Sequence, residues 1–457
     1  VIIDWLGPLM FAGALALLSL GYPVAFSLGG VSIIFALIGS ALGVIDLQLF
    51  GLMPLRIFDI MKNYTLLAIP YFIFMGSMLE KTGIAERLLE TMGILLGRIR
   101  GGLALAVVIV GALLAATTGV VAATVVAMGL ISLPIMLRYG YDKKLATGVI
   151  AASGTLGQII PPSVVLIVLA DQLGISVGDL FIGSIIPGLM MAGAFALYVL
   201  AIAFVKPEIA PPLPPEVRNI GVKALIGKIF QVMLPPLILI LLVLGSIFFG
   251  FATPTEAGAV GCVATIILAG LYGKLTLATL SQVCNATMRI TSMVMFILIG
   301  STAFALVFKG LNGAVFMENV LSNIPGGQVG FMIVSMTVVL LLGFFIDFFE
   351  IAFIVVPLFV PVAQQFGIDL IWYGVVLGAN LQTSFLTPPF GFALFYLRSV
   401  TPEEVSTVDI YRGVIPFILI QLLVLGLIIV FPQIVNFLPS LMKPPPVEVL
   451  SSFVVAL

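Results

Sequence analysis

The run Ser153-Gly154-Thr155-Leu156-Gly157-Gln158-Ile159-Ile160-Pro161-Pro162-Ser163 sets two glycines and a proline pair inside an apolar segment of membrane-spanning length. No continuous helix survives it, because each proline removes a backbone donor and its ring clashes with the preceding turn. The chain repeats the device as Asn380-Leu381-Gln382-Thr383-Ser384-Phe385-Leu386-Thr387-Pro388-Pro389-Phe390-Gly391, with the proline pair moved on by 227 positions. The same displacement carries Pro134 onto Pro361, Gly140 onto Gly367 and Asp142 onto Asp369. A second echo, Phe72-Ile73-Phe74-Met75-Gly76-Ser77 against Phe296-Ile297-Leu298-Ile299-Gly300-Ser301, extends the likeness beyond the breaks. Two copies of one unit make up the chain.

Breaking a spanning helix frees carbonyls and amides that lipid cannot satisfy, so such backbone must be buried in protein or line a polar cavity. Paired interruptions in corresponding halves point to the midplane binding site of a secondary transporter. Composition agrees with a membrane setting: 61% of the 457 residues are hydrophobic and 9% charged, against about 25% charged in soluble domains. A net charge of -1 gives no reason to expect a nucleic-acid partner. Histidine is absent, which removes imidazole ligands and histidine proton relays, and Cys262 and Cys284 have no metal-ligand spacing. Both cysteines read as packing residues. No nucleophile, base and orienting group come together in the candidate residues, so an enzyme is not expected.

Apolar runs of about 17 to 25 residues are expected spans. They fall at 5–21, 22–44, 65–81, 142–170, 180–205, 233–250, 254–273, 291–309, 370–398 and 413–437. The first of these reads as a retained span rather than a signal peptide. Two further stretches, 102–137 and 328–366, are each interrupted mid-way, by Thr117-Thr118-Gly119 and by Asp347 and Glu350, and read as re-entrant hairpins. Segments 83–100 and 275–290 mix charge with apolar residues and read as interfacial amphipathic helices. The expected architecture is an all-α integral membrane fold of two inverted-topology repeats, each with a hairpin and a broken helix. The first repeat covers 1–205, a proline-rich cytoplasmic linker and interfacial segment 206–232, and the second repeat 233–457. Of the 19 Lys and Arg residues, Arg56, Lys62, Lys309 and Lys443 map to one side and the other fifteen to the opposite side. Because basic residues accumulate in short cytoplasmic loops, both termini are expected on the periplasmic side. The first hairpin then enters from the cytoplasm and the second from outside.

Hydroxyls and freed carbonyls suit a small hard cation that needs oxygen ligands without a formal countercharge. Ser153, Thr155 and Gly157 offer them in the first copy; Asn380, Gln382, Thr383, Ser384 and Thr387 offer them in the second. Thr117, Thr118, Gly119 and Thr124 sit at the first hairpin tip, where they can close one cation site with the first broken helix. The plainer alternative is a proline kink whose hydroxyls bond back to their own helix. Helix N-termini at the breaks would aim positive dipole ends at an anionic substrate. Expected substrate contacts are therefore Ser153, Gly154, Gln158, Pro161 and Pro162, with Gln382, Thr383, Pro388 and Pro389. No Lys or Arg lies in either motif. Asp347 and Glu350 are carboxylates at membrane depth, which cost about 2.5 to 3.5 kcal/mol for aspartate on insertion scales and mark function by default. A shallow hairpin, or a pair with Lys309, is the alternative.

The two hairpins with the motifs Ser-Gly-Thr-Leu-Gly-x-x-x-Pro-Pro-Ser and Leu-Thr-Pro-Pro-x-Gly resemble, along essentially the whole chain, the large membrane subunit of tripartite ATP-independent periplasmic (TRAP) transporters. That resemblance implies an elevator-type fold of the ion transporter superfamily, with a scaffold around a mobile domain of hairpins and broken helices. It implies sodium-coupled uptake of an organic acid, sodium ions being the only cofactor. The implied partners are a periplasmic substrate-binding protein and a small four-span membrane subunit. By position, one sodium site would join Thr117 to Gly119 with Ser153 to Gly157. The other would join Gly343 to Asp347 with Asn380 to Thr387. The family's serine-rich first tip is here Thr117-Thr118-Gly119-Val120. A stand-alone carboxylate symporter of the same superfamily is the nearest rival. An ion channel is a further alternative, though nothing resembles a carbonyl filter or a charged ring.

Overall fold

The computed structural model describes residues 5–218 and 222–442; Lys443, counted above for orientation, lies outside them. The described residues are helical with no strand. The first half runs α1 (Leu6–Ser19), α2 (Val24–Ala41), α3 (Met53–Met61), α4 (Tyr64–Lys81), α5 (Ile84–Leu96), α6 (Gly102–Thr118), α7 (Val121–Arg138), α8 (Lys143–Thr155), α9 (Val164–Leu173) and α10 (Val177–Val205). After the short α11 (Pro215–Arg218), the second half runs α12 (Val222–Phe248), α13 (Pro254–Leu271), α14 (Leu277–Gly310), α15 (Gly313–Ser322), α16 (Gly327–Leu342) and α17 (Phe348–Glu350). It ends with α18 (Val356–Gln365), α19 (Leu370–Leu386), α20 (Phe392–Arg398), α21 (Thr407–Val430) and α22 (Gln433–Met442). Among the described residues, eight helices are long and apolar enough to cross a membrane.

The 227-residue displacement governs element boundaries as well as motifs. It carries the start of α8 at Lys143 onto the start of α19 at Leu370, and α7 onto the arm from Phe348 to Gln365. Asp142 and Asp369, the residues before α8 and α19, cap them identically. The Asp142 carboxylate accepts from the amides of Lys144 and Leu145, and that of Asp369 from the amides of Ile371 and Trp372. Such a cap satisfies amides that have no partner inside the helix.

Packing crosses between the halves. The second-half α14 lies along the first-half α2, and the second-half α13 along the first-half α4. Glycines bring these backbones together, as small residues do between membrane helices. A Cβ on Gly300 would fall 2.6 Å from the Ala25 carbonyl oxygen, and one on Gly261 2.6 Å from the Met75 sulfur.

Several boundaries differ from the sequence expectation. Residues 275–290 are not a separate interfacial helix but the start of the 34-residue α14, whereas α5 does occupy the other expected interfacial segment. In the first repeat the stretch matching α14 is cut into α3 and α4, bent by 54° where Asn63 caps α4 with its side-chain oxygen. The segment expected as linker and interface, 206–232, is helical from Val222 and continuous with the following span. The last span stops at Val430 because Pro432 follows and cannot extend it; α22 is a separate helix.

Candidate functional site

Each hairpin's first arm lies beside its own broken helix in both copies. In the first, a Cβ on Gly111 would come 2.6 Å from Ser153 Cβ, one on Gly157 3.6 Å from Ala115 Cα, and one on Gly119 3.3 Å from the Pro162 carbonyl oxygen. In the second, Asn380 Nδ2 donates to the Met336 carbonyl at 2.7 Å, and a Cβ on Gly343 would meet Ser384 Oγ at 2.1 Å. The expected grouping of Gly343 to Asp347 with Asn380 to Thr387 is thus brought together at Gly343 and Ser384, whereas in the first copy Ser153 and Gly157 meet Gly111 and Ala115, before the tip, and Gly119 meets Pro162. The Thr118 side chain lies outside the described residues. Gly119 closes α6 with φ +60°, a left-handed conformation that glycine adopts at no steric cost.

The two breaks are not identical. After α8 the chain passes through a 3-10 turn at Leu156–Gln158 before the prolines, while α19 continues to Leu386 and ends at Thr387. Gly154 and Gly157 in the first copy correspond to Leu381 and Ser384 in the second, and glycine weakens a helix by about 1 kcal/mol relative to alanine. Pro161 and Pro162 are buried, whereas Pro388 is half-buried and Pro389 exposed. Both Pro-Pro bonds are cis.

Most hydroxyls at the breaks bond back to their own helix, as the plainer alternative anticipates. Thr117 donates to the Leu114 carbonyl, Thr155 to Ala152, Thr383 to Ala379, Ser384 to Leu381 and Thr387 to Thr383, at 2.7 to 2.9 Å. Ser153 is different: its Oγ is fully buried and has no partner. Gln158 is also fully buried, with both amide atoms unpaired. Where the two broken helices cross, Gln382 Nε2 donates to Thr155 Oγ1 at 3.4 Å. These two residues are themselves 227 positions apart, so the repeats meet at equivalent positions. Gln421, on α21, donates to the same oxygen at 3.3 Å, and the Oε1 atoms of Gln382 and Gln421 lack partners. The chain carries buried amides here that its own fold does not satisfy, an uncommon condition that calls for a ligand, ion or water.

A cavity of about 160 Å³ joins the two hairpin tips. Gly119 to Ala122 come from the first tip and Asp347 to Phe349 from the second; Val164, Phe385 and Tyr396 complete the side of the broken helices, and Ile73, Ile290 and Met293 that of α4 and α14. Asp347 is the one charged side chain in its wall. Its carboxylate accepts from the Phe348 amide at 2.7 Å, and Glu350 accepts from the Asp347 amide, a reciprocal cap on the arm that starts at Phe348. Neither pairs with Lys309; the ion pair among the described residues is Lys228–Glu90. Glu350 is buried and followed by a π-helical turn, Ile351–Val355, which the matching arm α7 lacks. Ser153, Gly154, Gln158, Gln382 and Thr383, expected to touch substrate, are fully enclosed and off this cavity's wall. Sequence reasoning missed the apolar wall, whose residues look like any others in an apolar chain. It also missed Gln421, for which a signal existed: a lone amide within an otherwise apolar span.

The family model described as "Tripartite ATP-independent periplasmic transporter, DctM component" matches residues 11–434. The C4-dicarboxylate TRAP transporter large permease protein DctM of Pseudomonas aeruginosa is 33% identical over 391 residues, covering 85% of this chain and 89% of that protein. The sialic acid TRAP transporter permease protein SiaT of Haemophilus influenzae is 31% identical over 385 residues, covering 84% of this chain and 61% of that longer protein. Among solved structures, the YdaH transporter of Alcanivorax borkumensis matches with a TM-score of 0.53 at 18% identity, covering 80% of this chain and 86% of that one; it supports the fold.

Proposed function

Because the chain belongs to the DctM-component family of tripartite ATP-independent periplasmic transporters, and so is the large membrane subunit of a transporter rather than an enzyme, we propose that it carries an organic acid into the cell. Sodium ions bound beside the two hairpin tips drive the step. The observation that carries this reading is the cavity between the tips, whose one charged side chain is the Asp347 carboxylate. Two unit charges 4 Å apart interact by about 4 kcal/mol at an effective dielectric of about 20. Cations that enter with an acid anion offset this repulsion, and that dependence is coupling. The residues fit sodium: Ser153 Oγ is unpaired, and the back-bonded hydroxyls of Thr117, Thr383, Ser384 and Thr387 keep lone pairs, whereas Thr155 already accepts from two amides. Among the described residues no His, Cys, Asp and Glu cluster suits a transition metal.

Relatives named for C4-dicarboxylates and for sialic acid stand at 33% and 31% identity. Substrates that different, at nearly equal distance, support recognition here of the shared carboxylate, with selection left to a periplasmic binding protein. Large permeases of tripartite systems work in general with such a protein and a small membrane subunit. We place this chain in a bacterial inner membrane, with both termini periplasmic on the basic-residue bias. The test is uptake of radiolabelled acids into proteoliposomes holding this chain, the small subunit and the binding protein. Uptake is expected to need an inward sodium gradient and to survive a protonophore. Sodium-independent uptake abolished by the protonophore would overturn sodium coupling and make Asp347 a proton carrier.

A further inference from the structure

A pocket of about 280 Å³ lies away from the hairpins, where the first turn of α8 meets the end of α10 and the start of α21. Lys144, Lys206 and Arg412 line it with the single carboxylate of Asp142, beside Tyr198 and Pro416. None of the three cations makes an ion pair; the ion pair among the described residues lies elsewhere, at Lys228–Glu90. Competing acid is otherwise engaged. The Asp142 carboxylate caps α8, and Asp409 on α21 accepts from the amide and hydroxyl of Ser406. Neighbouring Lys143 is directed elsewhere, to the Glu404 carbonyl at 2.7 Å. The pocket therefore sets three cations against one lining carboxylate, with Asp409 near enough to feel the Lys144 charge, and it keeps an excess of positive charge.

The repeat allows a partial comparison. Moved by 227 positions, Asp142, Leu145 and Ile202 become Asp369, Trp372 and Ile429, and these line another pocket, of about 650 Å³, whose remaining wall comes mostly from α16. No Lys or Arg lines that pocket; the positions matching Lys144 and Lys206 are Ile371 and Gln433. At these matching positions only the first copy places basic residues, so the helix cap there does not require them. With the repeats inverted, the basic pocket faces the side that carries fifteen of the 19 basic residues. Directly beside Lys206, Phe204 and Val205 are 86% and 75% exposed at the end of α10, surface suited to acyl chains. Cationic pockets between helices at the cytoplasmic face take anionic lipid head groups.

We propose that Lys144, Lys206 and Arg412 bind the phosphate of an anionic phospholipid, with its acyl chains along the exposed end of α10. The leaflet rests on the orientation given above, but the binding test does not, since a uniform lipid mixture reaches both faces. Native mass spectrometry of the purified full chain, titrated with phosphatidylglycerol or phosphatidylcholine, reads the site directly. Wild type should retain phosphatidylglycerol over phosphatidylcholine. The K206Q/R412Q variant should bind it roughly tenfold more weakly or worse, each cation near a head group contributing about 1 kcal/mol. The charge-conserving K206R/R412K variant should keep binding, and K228Q, remote from the pocket, should match wild type. In thermal melts, phosphatidylglycerol should stabilise wild type where equimolar inorganic phosphate does not. Equal retention by wild type and K206Q/R412Q would overturn the site. Stabilisation by inorganic phosphate as large as by the lipid would overturn the lipid and leave a free-anion site.

Discussion

Ser153 places a hydroxyl in a fully buried position with no partner, and leaving such a group unsatisfied costs about 1–3 kcal/mol. Removing it in sodium-free buffer should therefore do no harm: Ser153→Ala is expected to melt at or above the wild-type temperature. Adding sodium should raise the wild-type melting temperature and leave Ser153→Ala nearly unmoved, because the ligand oxygen is gone. If instead the variant is equally destabilised with and without sodium, the hydroxyl has a structural partner and is not an ion ligand. Gly111, directly across from it, is the contrasting case. An added Cβ would lie 2.6 Å from Ser153 Cβ, so Gly111→Ala must push α6 off α8, an overpacking cost of about 1–3 kcal/mol. Its melting temperature should fall in either buffer.

The arm beginning at Phe348 carries a carboxylate with two placements at once. Asp347 caps that arm and also lines the cavity. Asparagine caps about as well as aspartate, whereas alanine at such a position costs about 0.5–2 kcal/mol. Asp347→Asn should thus keep wild-type stability while altering the sodium dependence of uptake, and Asp347→Ala should lose both; a wild-type sodium response in a well-folded Asp347→Asn would reduce the residue to a cap. The sequence made the breaks legible because prolines and glycines act locally and Asp142 and Asp369 announce the helices that follow. Two other features were not local. The cavity wall of Val164, Phe348 and Phe385 depends on which apolar faces meet, and apolar residues facing lipid look the same. The continuity of α14, where the first repeat bends at Asn63, depends on context that the matching residues 275–290 do not display.

At the scale of the molecule, the crossed pairs α2 with α14 and α4 with α13 tie the two halves into one frame, while the hairpins and broken helices hold most of the buried polar residues. Orientation can be tested apart from mechanism: a cysteine at Glu208, exposed in the linker, should be labelled from the cytoplasmic side, and one at Gln364, exposed near the end of α18, from outside. Labelling of the linker from outside would exchange the two hairpins. For mechanism, a rigid site that alternates its access must travel with its bundle past the frame. Ile73 on α4 and Val121 at the first tip line the same cavity from opposite sides of that division. In a background lacking Cys262 and Cys284, the I73C/V121C pair joined by a short thiol crosslinker should halt uptake, and each single cysteine treated alike should not. A cleavable linker, once cut, should restore transport. Uptake at the unlocked rate by fully crosslinked protein would rule out movement of the hairpin against α4 and, with it, the elevator.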